Sequence, residues 1–208
     1  MRLVVFYIIY IISNQIISAQ KIIEKELYAS DISTIIVSGN TMFNISMNTK
    51  PINKVNLVLA IEGENNEQIV LKTIRKQDTI FISSEYQPLF NVPDDKLSAH
   101  KKISIELNMI VPENIDVSVK SDIGSVQIKG IYKSVFSELV NGNFKAFNVS
   151  SNLLVINTLH GNIYVETNNA IVDISTKNGE VHKEQLDFGK QRISLNSING
   201  DIRVIKTQ

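Results

Sequence analysis

The stretch VFSELVNGNFKAFNVSSNLLVINTLHGNIYVET, residues 135–167, contains two copies of one short pattern. In each copy a glycine stands between two pairs of mostly apolar residues, and the members of a pair are two residues apart. A spacing of two is the period of a β-strand, so each pair is predicted to point into one interior. The pattern therefore predicts a strand, a bend at the glycine and a second strand.

The same pattern extends in both directions along the C-terminal half of the chain. Its glycines are 18, 19, 18 and 21 residues apart, and they are Gly124, Gly142, Gly161, Gly179 and Gly200. With each glycine as position 0, positions −7, −5, +2 and +4 make twenty sites, of which eighteen are apolar. The 43% hydrophobic content of the chain would give about nine by chance. Such a period indicates stacked repeats.

Two all-β architectures fit the repeats at 113–208. In a single-stranded β-helix or solenoid, each rung of roughly 18–21 residues stacks on the last. In an antiparallel meander, each glycine marks a hairpin. We favour the solenoid because a pattern kept column by column is natural where like positions stack. The absence of proline from Glu113 to Gln208 suits ladders that use nearly every backbone N–H.

Asparagine precedes three of the glycines, at Asn141, Asn178 and Asn199. Asparagine tolerates a positive φ and glycine adopts it freely, so the pairs predict sharp bends in the backbone. We assign these three asparagines and the five glycines a structural role in the turns.

The N-terminal half alternates in the same way but without the glycine period. Strands are predicted at 34–38, 42–47, 54–62, 68–75, 79–84 and 103–111, an irregular loop at 86–100, and a lead-in segment at 21–30. Residues 31–111 are either a separate domain or further rungs and a β-meander cap. We favour one continuous solenoid domain over 31–208 because a solenoid needs a protected end.

Residues 1–20 have the features of a secretory signal peptide: Arg2, an apolar run and the small residues Ser18-Ala19. The apolar run is too short to span a bilayer, and no later segment could. The protein is thus expected in the periplasm, on the outer surface or secreted. Cysteine is absent, which excludes disulfides and thiol catalysis. The 21 basic and 21 acidic residues provide no basic footprint for nucleic acid.

Several segments resemble one known group. A strand IVPENIDVSV at 110–119, followed by SDIGSVQIKG, VNGNFKAFNV, LHGNIYVET and INGDIRVIKT, is similar to the putative adhesin family of bacterial β-strand-repeat proteins, including the head GIN type. The SAQ sequence at 18–20 resembles exported proteins of Bacteroidetes. The resemblance implies a single-stranded β-helix and an envelope location, and it supplies no catalytic residues.

The outward column at +3 holds the candidate binding site. Lys145, Tyr164 and His182 occupy successive units and are predicted to be neighbours, forming a basic-aromatic strip for a sugar or an acidic partner. The alternative is a solvated face with favourable cross-strand pairs.

Other candidates are weaker. Glu180 and Asp201 at +1 would be too few acids for a repeated calcium site, so no metal is expected. An outward pair at −6, Phe136 and Val155, is expected to be covered by residues 31–111, and the alternative is a contact patch. Because the last unit ends near the C-terminus, we expect it to be an open terminal rung, with Arg203 and Lys206 as charged gatekeepers.

These observations predict an exported, non-catalytic surface or envelope protein, adhesin-like or structural, with no cofactor. The first alternative is a glycan- or protein-binding module that uses the strip; the second, less favoured, is a polysaccharide-active enzyme. The partner is unknown, with a glycan as one candidate, and the protein is expected to be a monomer or a weak end-to-end oligomer.

Overall fold

A computed structural model describes residues 20–90 and 103–207. Residues 1–19 of the predicted signal peptide and most of the loop predicted at 86–100 lie outside these residues. Within them the protein is all-β, as predicted, with no α-helix and one 3-10 turn at Asn66–Gln68. The strands are β1 Lys21–Tyr28, β2 Thr34–Ser38, β3 Asn44–Lys50, β4 Lys54–Glu62, β5 Ile69–Lys76, β6 Thr79–Tyr86, β7 Ser104–Pro112, β8 Asp116–Ser121, β9 Ser125–Asn141, β10 Phe144–His160, β11 Ile163–Thr167, β12 Ala170–Thr176, β13 Val181–Lys183, β14 Gln191–Asn199 and β15 Ile202–Lys206.

The strands form one hydrogen-bonded sheet that folds round on itself like a nearly closed barrel. Its plus side, which carries the residues that follow each glycine, has the order β1-β4-β7-β3-β9-β10-β11-β15-β13. Its minus side, which carries the residues that precede each glycine, has the order β5-β6-β2-β8-β9-β10-β14-β12. The long strands β9 and β10 bend and belong to both sides. Their bends lie where Gly130 and Asn148 take positive φ values of 111° and 45°.

Every strand pairing among the described repeats is parallel and joins like positions. Phe144 lies opposite Val126 and Ile163, which are the +2 residues of the neighbouring units. Leu154 lies opposite Val135 and Ile193, which are the −7 residues. Parallel strands cannot be joined by a two-residue hairpin, so the antiparallel meander is wrong for this half.

Residues 34–50 extend the parallel stack toward the N-terminus. β2 pairs with β8, and β3 pairs with β9, so this segment occupies the place of one more unit. Beyond it the pairing changes, because β4 is antiparallel to β1 and β7, and β5 is antiparallel to β6. The 21–30 segment contains the edge strand β1. Buried side chains from both halves form one hydrophobic cluster.

The order of the last two units differs from their order in the chain. β15 pairs with β11 on one side and β13 on the other, while β14 lies between β10 and β12. The Gly200 unit is thus inserted between the Gly161 and Gly179 units. The prediction of an open terminal rung at 201–206 is therefore wrong, and Arg203 and Lys206 do not guard a free edge.

The composition of the two units explains their places. In the Gly200 unit all four inward positions are apolar and buried, which suits a unit covered on both sides. In the outermost Gly179 unit, Val181 is 51% exposed and Lys183 replaces an apolar residue. The ammonium of Lys183 donates a hydrogen bond to the Val172 carbonyl, 3.2 Å away, so it caps the end of the stack.

Glycine is required in the turns for a reason other than the predicted one, because none of the five glycines has a positive φ. They are required by close approach. A Cβ on Gly142 would lie 2.0 Å from the carbonyl oxygen of Gly124, and one on Gly161 would lie 1.9 Å from that of Gly142. Each glycine therefore leaves room for the backbone of its neighbour in the stack.

Ser137 occupies an inward −5 position where the other units carry apolar residues. Its hydroxyl is buried and lacks a hydrogen-bond partner. A buried unpaired polar group costs about 1–3 kcal/mol, so we expect Ser137→Ala to raise the free energy of unfolding by about 1 kcal/mol in urea denaturation. Ser197→Ala is the matched control, because the Ser197 hydroxyl is bonded to Thr158 and the Gly161 carbonyl. Equal destabilisation by both substitutions would contradict the assignment.

Candidate functional site

At each corner, which is the turn of a unit at its glycine, side chains form hydrogen bonds to the neighbouring unit in the stack. At position −1, the amide of Asn178 donates to Asn199 at 2.7 Å, and Asn199 contacts His160 Nδ1 at 3.0 Å. Asn141 donates to the Asp122 carbonyl at 3.2 Å. These polar residues connect neighbouring units and have no positive φ of their own.

Position +1 forms a second ladder, in which a side-chain oxygen accepts the backbone N–H of the next unit. Asn143 accepts from Asn162 at 2.8 Å, and Asn162 accepts from Asp201 at 2.8 Å. Asp201 in turn accepts from Glu180 at 2.9 Å. One Asp201 oxygen is thus used within the turn. No group of three or more potential metal-ligating side chains occurs among the described residues.

The residues that lie side by side in the structure are not the three that were predicted to form the strip. Lys145 and Tyr164 are neighbours on β10 and β11, as the column suggested. His182 is not a neighbour of Tyr164, because Arg203 on the inserted strand β15 pairs with both of them. We define the cationic-aromatic strip as Lys145, Tyr164, Arg203 and His182, in that spatial order.

An aromatic pair lies at the middle of the strip. The rings of Tyr164 and Phe147 have centroids 5.5 Å apart and planes tilted by 45°. Tyr164 is half-buried, and burial is the main cause that raises the pKa of its phenol. The nearby Glu166 carboxylate acts in the same direction, while Arg203 opposes it. The phenol therefore stays neutral and can donate a hydrogen bond at physiological pH.

The sequence indicated Tyr164 and Lys145 but did not assign Arg203 or Phe147 to the strip. Phe147 does not occupy any of the positions that define the repeat. It directly precedes Asn148, at the bend of β10. Besides Lys183, the sequence signals of a changed rung order were the 21-residue spacing and the insert at Glu184–Gln191. The spacing does not show between which units the Gly200 unit lies. The neighbour of Tyr164 could therefore be identified only from the structure.

The remaining aromatic candidate lies on the minus side. Phe136 is 44% exposed and pairs in the ladder with Ser118 and Val155. The expectation that residues 31–111 cover it is therefore wrong. Helices long and apolar enough to cross a membrane are absent from 20–90 and 103–207.

These features define an all-β protein built on stacked parallel strands, with a mixed cationic-aromatic outer column. Its structural neighbours include several putative adhesins, as the sequence resemblance predicted. A putative cell adhesion protein from Clostridium sporogenes is 15% identical, has a TM-score of 0.60, and matches 91% of this chain and 100% of its own. This likeness shows a shared fold.

Two further solved structures are more distant. A putative adhesin from Bacteroides fragilis is 15% identical with a TM-score of 0.43, over 90% of this chain and 99% of its own. One from Parabacteroides distasonis is 10% identical with a TM-score of 0.39, over 90% and 98%. No family model and no curated protein matches the sequence. The head GIN type stays a prediction.

Proposed function

We propose that the protein is an exported, non-catalytic, adhesin-like module that works by presenting a surface. In this proposal the stack is a β-solenoid, and residues 31–208 form one domain whose N-terminal strands protect its end. The supporting observation is the in-register parallel pairing of like positions. It arranges outward side chains in columns, and successive members of a column are about 4.8 Å apart. The fold shared with a protein named for cell adhesion agrees with this role.

Protease shaving of intact cells, followed by fractionation, tests the location. If the protein is displayed on the surface, an external protease removes it from whole cells while a periplasmic marker protein survives. Protection until the outer membrane is opened would place it in the periplasm and overturn the surface role. Recovery of the protein in the cytoplasm would overturn export as well.

A second candidate function is glycan binding by the cationic-aromatic strip. Tyr164 and Phe147 offer an aromatic surface on which a sugar ring can stack, and Lys145 and Arg203 flank Tyr164 on its two sides. Cations at these places favour a sugar that carries a carboxylate, since charge-assisted hydrogen bonds are stronger than neutral ones. The preferred ligand would therefore be an acidic polysaccharide.

We expect Tyr164→Ala to weaken binding to a polyuronate such as alginate by about tenfold, which corresponds to about 1.4 kcal/mol. The measurement is retention on immobilised alginate compared with neutral dextran. Phe136→Ala is the matched control, because it removes an exposed aromatic ring from the opposite side. Equal retention of wild type and Tyr164→Ala, or equal retention on dextran, would refute this second function.

A further inference from the structure

A groove of about 810 Å³ crosses the minus-side corner of five successive units. We call it the corner groove. It is lined by positions −4, −3 and −2, which are in register from β8 through β9, β10 and β14 to β12. Its volume lies in the range of small-ligand sites. It is separate from the strip, which lies on the plus side.

The two walls of the corner groove differ in chemistry. The −2 wall has three aliphatic side chains in a row, Val140, Leu159 and Ile198, which are 37%, 36% and 43% exposed. The −4 wall is polar and includes Asn157 and Asn196, whose amides are 3.1 Å apart. Because the amide nitrogen of Asn196 donates to the amide oxygen of Asn157, the N–H groups of Asn157 and the oxygen of Asn196 can bond a ligand.

Opposite charges stand at the two ends of the apolar row. Asp122 precedes Val140 in the −2 column, and Lys177 follows Ile198. Neither takes part in an ion pair in the described structure, whereas Lys120 on the −4 wall is bound to Glu138 at 2.6 Å. Four strand spacings separate Asp122 from Lys177, which is about 19 Å.

We propose that the corner groove binds an extended peptide segment with a cation at one end, an anion at the other and apolar side chains between them. An extended chain rises about 3.3 Å per residue, so about six residues span the groove. Alternate side chains would pack on the aliphatic wall while the peptide main chain bonds the Asn157 and Asn196 amides. The cation would lie at Asp122 and the anion at Lys177.

Other ligand classes use fewer of these features. A fatty acid would contact the aliphatic wall and Lys177 but would leave Asp122 and the two amides without a role. A sugar would find no aromatic side chain among the groove residues. Charge complementarity at both ends therefore favours the peptide.

The test uses three fluorescently labelled peptides with blocked termini. Their sequences are Lys-Leu-Ser-Leu-Ser-Leu-Asp, the same with Asp at both ends, and the same with Lys at both ends. By fluorescence anisotropy, the purified protein is expected to bind the Lys/Asp peptide about tenfold more tightly than either like-ended peptide. Asp122→Lys should reverse the preference toward the Asp/Asp peptide, and Lys177→Glu toward the Lys/Lys peptide.

A reversal of preference cannot arise from unfolding, so the result does not depend on equal stability of the variants. Glu106→Lys is the matched control, because it makes the same charge change as Asp122→Lys on an exposed plus-side position. Tyr164→Ala should leave peptide binding unchanged, which separates this proposal from glycan binding. Equal binding of the three peptides, or no binding, overturns it. Decanoate binding that depends on Lys177 and not on Asp122, without peptide binding, identifies an acyl chain and also overturns it.

Discussion

Gly161→Ala is expected to lower the free energy of unfolding by about 3 kcal/mol, since forcing atoms into a packed interior typically costs about 1–3 kcal/mol or more. The added Cβ would lie 1.9 Å from the Gly142 carbonyl oxygen and 2.6 Å from its carbonyl carbon. Both are backbone atoms, held by the parallel ladders on either side. No side-chain rotation can relieve the clash, so the strands themselves must separate.

Gly161→Asn distinguishes the steric cause from the conformational one. Asparagine tolerates a positive φ better than most residues, so a turn that needed only this torsion would accept it. Because the corner lacks space for any Cβ, we expect Asn to be at least as damaging as Ala. Guanidinium denaturation of both variants measures the difference.

His160→Ala is the control for the glycine substitutions. His160 is exposed at the same corner and makes one side-chain contact, to Asn199. Its loss should change the free energy of unfolding by less than about 1 kcal/mol. A Gly161→Asn protein as stable as the wild type would show that glycine is needed for its backbone torsion and not for the space that a side chain would fill.

Phe144→Ala is expected to destabilise the protein by about 3–5 kcal/mol, the usual cost of removing a buried phenylalanine. Phe144 has no exposed surface and occupies the inward +2 position of a central unit. Units stack on both of its sides, so the surrounding backbone cannot collapse into the void. Thermal or denaturant unfolding measures the loss.

Phe136→Ala also removes a phenylalanine ring, but from an outward position on β9. Since Phe136 is 44% exposed, its truncation should cost less than about 1 kcal/mol. The contrast tests the inward and outward assignment of the two columns. Similar losses in both variants would mean that Phe136 is covered, for example by a second copy of the chain.

Much of the fold could be predicted from the sequence, because strand period and burial are local. At positions −7, −5, +2 and +4 the structure buries all sixteen residues of four units, including Ser137. The exceptions belong to the Gly179 unit, where Lys183 had already broken the apolar pattern. β2 and β4 begin and end at the predicted residues. The reason for the glycines was missed, since a contact between backbones of different units leaves no local signal.

The candidate sites could be predicted only in part. Tyr164 and Lys145 are neighbours because their units are consecutive both in the chain and in the stack. The corner groove could not be found from the repeat, since its residues lie at positions −4, −3 and −2, which the apolar pattern does not include. Its opposite charges are distant in the chain, at Asp122 and Lys177, and only the stacking places them at the two ends of one row.

The sequence by itself determined that this protein is all-β, which residues of each unit face inward, and that the chain turns at the repeat glycines. These properties follow from the strand period and from hydrophobic burial, which act within a few residues. Only the tertiary structure decided that the strands pair in parallel and that the Gly200 unit lies between the Gly161 and Gly179 units. Both choices depend on hydrogen bonds between distant segments. The order of the last two units also depends on Lys183, which is exposed at the open end of the stack.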